Sequence, residues 1–172
     1  MEASASTQTT APEAALRDFE ALARRDADGM KAAYADDAVV EFVPLGLVVR
    51  GNEGVKEFFT ELFTAVPDLE TTFEVPAATD DTVVVEWRMR GHFTGGAFQG
   101  IEPNGREIEL RGIDKMRIEN DRIAHNTAYY DGMNFARQVG MLPAQDSAGE
   151  KAMLGAFNAV TKLRSRFSQQ QP

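Results

Sequence analysis

The most regular pattern in the chain lies between Val55 and Val66. Val55, Phe58, Phe59, Leu62, Phe63 and Val66 recur at the spacing of one helix face, opened by Gly51-Asn52 and closed by Pro67. A weaker stripe, Ala15, Leu16, Phe19, Leu22 and Ala23, predicts an earlier helix. Thr10-Ala-Pro-Glu13 is its capping box, with Pro12 in the first turn, where a missing N–H costs nothing. Asp26 or Asp28 can cap a second, short helix that holds Met30, Ala33 and Tyr34 and stops at Asp36-Asp37. The carboxylates of these first helices read most simply as a solvated face.

Residues 38–43 and 47–49 predict two short strands around the turn Pro44-Leu-Gly46. Beyond Pro67, residues 69–78, 82–93, 106–119 and 122–130 read as longer strands. They are separated by Asp80-Asp81, by a loop holding Gly95, Gly96, Gly100 and Gly105, and by Asn120-Asp121. Residues 132–140 predict a short helix ending at Gly140, with Pro143 just beyond. Residues 148–167 predict a last helix with Met153, Phe157, Val160 and Leu163 or Arg164 near one stripe, which should dock on a body or on a partner subunit, and a basic end from Lys162 to Arg166. Helices do not alternate with single strands, which argues against a doubly wound parallel sheet. The expectation is an α+β fold: a strongly bent antiparallel or mixed sheet wrapped by the N-terminal helices. The chain divides into a disordered tail at 1–10, one domain at 11–143, and a linker with a C-terminal helix at 144–172.

Composition narrows the function. In 172 residues, 18 Lys and Arg face 27 Asp and Glu, a net charge of −9 that speaks against nucleic acid as a partner. The absence of Cys removes disulfides, a thiol nucleophile, iron–sulfur clusters and Cys-type zinc sites. MEASASTQTT lacks the basic and apolar regions of a secretory signal, and no apolar run approaches the ~18 residues of a membrane span. The expected location is therefore the cytoplasm, with no membrane partner. There is no GxGxxG after a strand, P-loop, HExxH or GxSxG elbow. With two His and no Cys, a zinc site would have to lean on carboxylates, so neither a metal nor a cofactor is expected.

Strand parity says more about chemistry. In 106–118, Ile108, Leu110, Gly112, Asp114, Met116 and Ile118 share one face, and charged residues fill most of the other. Asp114 interrupts that apolar face. A carboxyl there is paired, hydrogen-bonded or protonated, as a structural link or as a pocket acid. In 122–130, Ile123, His125, Thr127 and Tyr129 share a face that continues to Asp131 and suits a pocket wall. Asp131 also stands where a helix begins, so it can be that helix's N-cap; Met133 and Phe135 can roof the pocket. Trp87 shares a face with Val83, Val85 and Met89, as core or pocket wall. His92 falls on the opposite face, with Glu86, Arg88 and Arg90, unless a bulge at Gly91 turns it inward. Tyr34 is either core or pocket lining. The mixed charges of Glu86, Arg88, Arg90, Glu107, Glu109 and Arg111 suit either a solvated outer face or a self-complementary interface, hence a homodimer through the sheet.

Residues 87–142 resemble the SnoaL-like polyketide cyclases of the nuclear transport factor 2-like superfamily. The features that carry the likeness are the Trp-bearing strand and the connection Gly91-His92 to Gly100-Ile101, Pro103 and Gly105. They continue in Arg111-Gly-Ile-Asp114 with Arg117-Ile118, and in the Ile-led strand closing on Asp131, followed by Gln138, Gly140 and Leu142-Pro143. Upstream, Tyr34 to Phe42 and Arg50 to Phe59 fit the same scaffold, so the likeness covers about residues 13–143. The resemblance implies a cone-shaped α+β half-barrel with one apolar pocket, often dimeric through its sheet and needing no cofactor. In such cyclases an Asp after the last strand is the general acid/base of an intramolecular aldol closure. Asp131 stands at that position, and His92 matches the family's strand-end histidine. The ketosteroid isomerases of this fold use a Tyr, a base Asp on the first strand and a protonated Asp. Asp114 resembles the protonated Asp, whereas Phe42 stands at the base position.

The expected ligand is therefore a small, mostly apolar, carbonyl-bearing molecule. Its expected pocket is lined by Tyr34, Phe42, Phe59, Phe63, Trp87 and Met116, with Thr127, Tyr129 and Met133. Asp131 would remove a proton alpha to the carbonyl, and Asp114, His92 or His125 would stabilise the enolate oxygen. The alternative is a non-catalytic ligand-binding or scaffold protein that keeps the pocket and lacks turnover.

Overall fold

The computed structural model describes residues 11–168, the side chains of 166–168 excepted. The expected tail at 1–10 lies outside the described residues. Helices α1 (Ala11–Ala23) and α2 (Ala27–Ala33) lead into β1 (Tyr34–Phe42). Asp26 caps α2 by accepting from the Gly29 N–H at 2.9 Å. Tyr34 does not belong to the second helix. It is already extended, and it pairs with Ile123 as the first residue of β1. A one-turn 3-10 helix (Val43–Leu45) turns the chain into β2 (Leu47–Arg50), and α3 (Gly51–Ala65) follows. Then come β3 (Glu70–Ala78), β4 (Thr82–His92), β5 (Glu107–Glu119), β6 (Arg122–Tyr130), α4 (Gly132–Gln138) and α5 (Ala148–Ser168).

The six strands form one bent, unclosed sheet in the order β2-β1-β6-β5-β4-β3. Only β1 and β6 are parallel; the other neighbours are antiparallel. The sheet and α1, α3 and α4 contribute to one interior, with Phe19 and Leu22 from α1, Val55, Phe58 and Phe59 from α3, and Phe135 from α4 all buried. Burying side chains of this size stabilises the fold by ~1.5–3 kcal/mol each.

Glu86, Arg88, Arg90, Glu107, Glu109 and Arg111 lie on the outer face of the sheet. Ile113 and Tyr129, register partners on β5 and β6, are exposed beside them. The last helix, α5, is tethered at its start. Glu150 pairs with Arg137 at 2.8 Å and its carboxylate also accepts from the Asp146 N–H. Further along, Met153, Leu154, Phe157, Val160 and Leu163 are exposed, so the described body leaves this stripe uncovered. No helix among the described residues is long and apolar enough to cross a membrane.

Candidate active site

The interior of the cone holds an apolar cavity with about 80 Å³ of room for the centres of water-sized molecules, several waters' worth. Phe19 and Leu22 of α1, Phe42 of β1, Phe58, Phe59 and Leu62 of α3, and Trp87 and Met89 of β4 line it. The glycine-rich connection after β4 folds over the end of α3. There the Gly95 and Gly96 N–H groups donate to the carbonyls of Ala65 and Thr64. This brings Phe93, Phe98 and Ile101 into the wall, with the Phe98 ring centred 5.5 Å from that of Phe58. Ala128 and Tyr130 from β6 and Phe135 from α4 add to the lining, as do Ile108 and Leu110 from β5.

Two carboxyl groups interrupt this apolar surface, Asp114 from β5 and Asp18 from α1. Asp114 accepts from Trp87 Nε1 at 2.7 Å and from Asn126 Nδ2 at 2.6 Å. The first bond depends on Gly112, the register partner of Trp87. A Cβ at Gly112 would lie 2.2 Å from the indole Cζ2, so only glycine lets the ring lie across β5 toward Asp114. Burial raises the Asp114 carboxyl from the ordinary 3.8 to about 6, against the lowering effect of its bonds to Asn126 and Trp87.

Asn126 also donates to the Tyr34 oxygen at 3.2 Å, and Tyr34 donates to Asp18 Oδ2 at 3.3 Å. Asp18 is 2% exposed. Burial first, and then the charge of Asp114, hold its carboxyl well above the ordinary range, while the Tyr34 bond opposes them. Burial likewise pushes the Tyr130 phenol up to about 12, so it stays neutral over the physiological range.

The structure brings only some of the expected residues together. Asp114, Phe42, Phe59 and Trp87 line the cavity. Tyr34 is buried behind it, as the link between Asn126 and Asp18. Met116 is fully buried in the core, and Phe63 packs beside Phe59 with ring centres 6.0 Å apart; neither lines the cavity.

The expected wall of β6 is on the other face. The register shifts by one residue between Ile123, paired with Ile118, and His125, paired with Arg117. This bulge reverses the parity, so Asn126, Ala128 and Tyr130 follow Ile123 inward. His125 instead approaches Glu41, with Nε2 at 3.7 Å from Oε1. Thr127 is buried between its register partners Lys115 and Glu41, and Tyr129 is exposed. Asp131 follows β6 out of the sheet and is exposed. Its Oδ1 accepts from the Asn134 N–H at 2.8 Å, which caps α4, and it does not line the cavity. Met133, in the first turn of α4, is also exposed and does not roof it.

His92 is on the outer side as well. The β4–β5 register runs unbroken to His92–Glu107, so no bulge turns it inward. Its Nδ1 lies 2.7 Å from Asp68 Oδ2, and its N–H donates to Asp68 Oδ1. No group of three or more His, Cys, Asp or Glu able to hold a metal occurs among the described residues.

Asp18 and Asn126 are not among the residues that the sequence pattern singles out. A signal for Asp18 is present, because Ala11, Ala15, Asp18 and Leu22 follow the helical period and all four are buried. Asn126 has no such signal, since it reaches the interior only through the β6 bulge.

The family model for SnoaL-like polyketide cyclases matches residues 13–139. The chain belongs to this family. Solved structures agree on the fold. A candidate SnoaL-like polyketide cyclase from Jannaschia sp. superposes with a TM-score of 0.67 at 21% identity, over 83% of this chain and 100% of that one. AclR, a candidate hydroxylase from Streptomyces galilaeus, superposes with a TM-score of 0.63 at 19% identity, over 92% and 96%. IdmH, a candidate polyketide cyclase from Streptomyces antibioticus, gives 0.63 at 22% identity, over 77% and 99%. No curated protein matches the sequence. The expected α+β cone thus holds, and the family it belongs to suggests a small-molecule ligand.

Proposed function

We propose that this SnoaL-like protein binds a small, mostly apolar, carbonyl-bearing molecule and transfers a proton at the carbon next to the carbonyl. The reaction is of the polyketide cyclase or isomerase type. The observation that carries the reading is Asp114, a carboxyl in an apolar cavity whose proton affinity is raised to about 6. A base works best near the operating pH, and burial brings Asp114 there while leaving it mostly ionised at neutral pH.

In the step proposed, Asp114 takes the α-hydrogen. The C–H electron pair becomes a C=C bond, and the carbonyl pair moves to oxygen. The enolate then either attacks a second carbonyl of the same molecule, closing a ring whose new alkoxide oxygen takes the proton back from Asp114, or takes that proton back from Asp114 at another carbon. Both branches begin and end with a proton moving to or from Asp114, and neither changes the oxidation state of the molecule as a whole. The acid/base role falls to Asp114 here and not to Asp131, whose exposed carboxylate caps α4 and is not part of the cavity lining. One observation favours a ligand carrier without turnover: both oxygens of Asp114 are already hydrogen-bonded.

Acetophenone and hydroxylated aryl ketones in deuterated buffer separate the two readings, with loss of α-hydrogen followed by NMR. The enzyme reading predicts that the protein accelerates exchange and that Asp114→Asn removes ~10²–10⁴ of the acceleration. Ketones that bind without accelerated exchange would make the chain a carrier.

A further inference from the structure

The proton transfer above leaves Asp18 without a task. Asp18 lines the cavity from the buried face of α1. The hydrogen bonds that reach it have a fixed direction. Asp114 accepts, so it turns the Asn126 amide with Nδ2 toward itself at 2.6 Å. The same nitrogen donates to the Tyr34 oxygen at 3.2 Å. Tyr34 must then aim its own hydrogen at Asp18 Oδ2, 3.3 Å away. Oδ2 is thereby used as an acceptor, while the buried Oδ1 has no hydrogen-bond partner.

We propose that Asp18 Oδ1 carries a proton and donates it in a hydrogen bond to the carbonyl oxygen of the ligand. Helix α1, and not the sheet, then recognises the oxygen at which charge develops. This inference rests on the reading of the cavity as a carbonyl site. An ionised Asp18 would leave a buried charge on an oxygen with no donor, close enough to a second carboxylate to feel its repulsion. A neutral Asp18 instead offers one O–H to the cavity. As Asp114 removes the α-hydrogen, negative charge grows on the ligand oxygen and this hydrogen bond strengthens, with no net transfer of its proton.

The pair also selects by charge. A ketone carbonyl on an apolar body satisfies Asp18 and brings no charge up to the Asp114 carboxylate. A carboxylic acid or phosphate ester would set its anion against Asp114. The substrate class that follows is a neutral ketone whose carbonyl oxygen reaches α1 while its α-carbon faces β5.

The test is the infrared carbonyl band of acetophenone bound to the wild-type protein, to Asp18→Asn and to Asp18→Leu, with affinity measured alongside. Binding to the wild type should move the band to lower frequency than in an apolar solvent. Asp18→Asn should keep the shift, because its amide can accept from Tyr34 and still donate to the cavity. Asp18→Leu should lose it, with binding about three- to tenfold weaker. A band unmoved in the wild type, or equally moved in all three chains, overturns the role of Asp18. Should the Leu chain fail to fold, an unmoved wild-type band still overturns that role by itself. Acetophenone that binds none of them overturns the reading of the cavity itself.

Discussion

Asp114, within β5, and Asp131, just past the end of β6, mark two regions with opposite environments. Midway along β5, Asp114 is 7% exposed and held by Trp87 and Asn126 among aromatic walls. At the rim, Asp131 is exposed and gives one oxygen to the backbone N–H that opens α4. The side chains are identical. Water and a helix end make one a cap, and burial makes the other a group that titrates near the pH where it would act. Burial decides this, not nearness to a strand end.

The largest expected effect sharpens that contrast directly. In the deuterium-exchange assay, Asp114→Asn loses ~10²–10⁴ in rate. Asp131→Asn stays within about twofold of wild type, because Asn caps a helix about as well as Asp. The opposite ranking would return the chemistry to the rim.

Stability should respond next. The Asp114 carboxyl binds its proton more tightly in the folded chain, at about 6, than at the ordinary 3.8. Its contribution is therefore fully present below about pH 4 and is lost as pH rises through 6, a change of ~3 kcal/mol. Asp18 contributes with the same sign. Urea melts of wild type and Asp114→Asn at pH 4 and pH 7 measure the difference, and the decline with pH should be smaller in the Asn chain. Parallel declines in the two chains would show that Asp114 is not raised.

A smaller effect tests the indole. Trp87→Phe removes a donor that favours the ionised carboxyl, so the midpoint of the exchange-rate profile should move upward from about 6, by about one pH unit. An unmoved midpoint would separate the titration from Asp114.

The fold is largely legible in the sequence because its signals are local. The aromatic stripe of α3, the two-residue period of β4 and β5, and the turn residues between strands each depend on near neighbours in sequence. The odd Asp114 on an apolar face is legible for the same reason. What the pattern misses is non-local. The inward face of β6 depends on a bulge fixed by pairing with β5, and that one residue moves His125, Thr127 and Tyr129 out of the pocket and brings Asn126 in. Tyr34 reads as helical because its pairing partner, Ile123, is remote in sequence. Asp18 lies in plain view on the apolar period of α1, but a charge on an amphipathic helix is ordinarily solvated. Only the cavity behind α1 shows that this one is not.

The carboxyl that lines the cavity from β5, on this account, is the one tuned for proton transfer. The measurement that tests it most directly is a carboxyl-carbon NMR titration, with the Asp114 resonance assigned by its absence in Asp114→Asn. The expected midpoint for Asp114 is about 6, and a bound aryl ketone should perturb that resonance. A midpoint in the ordinary carboxylate range, near 4, with no response to the ketone would contradict it.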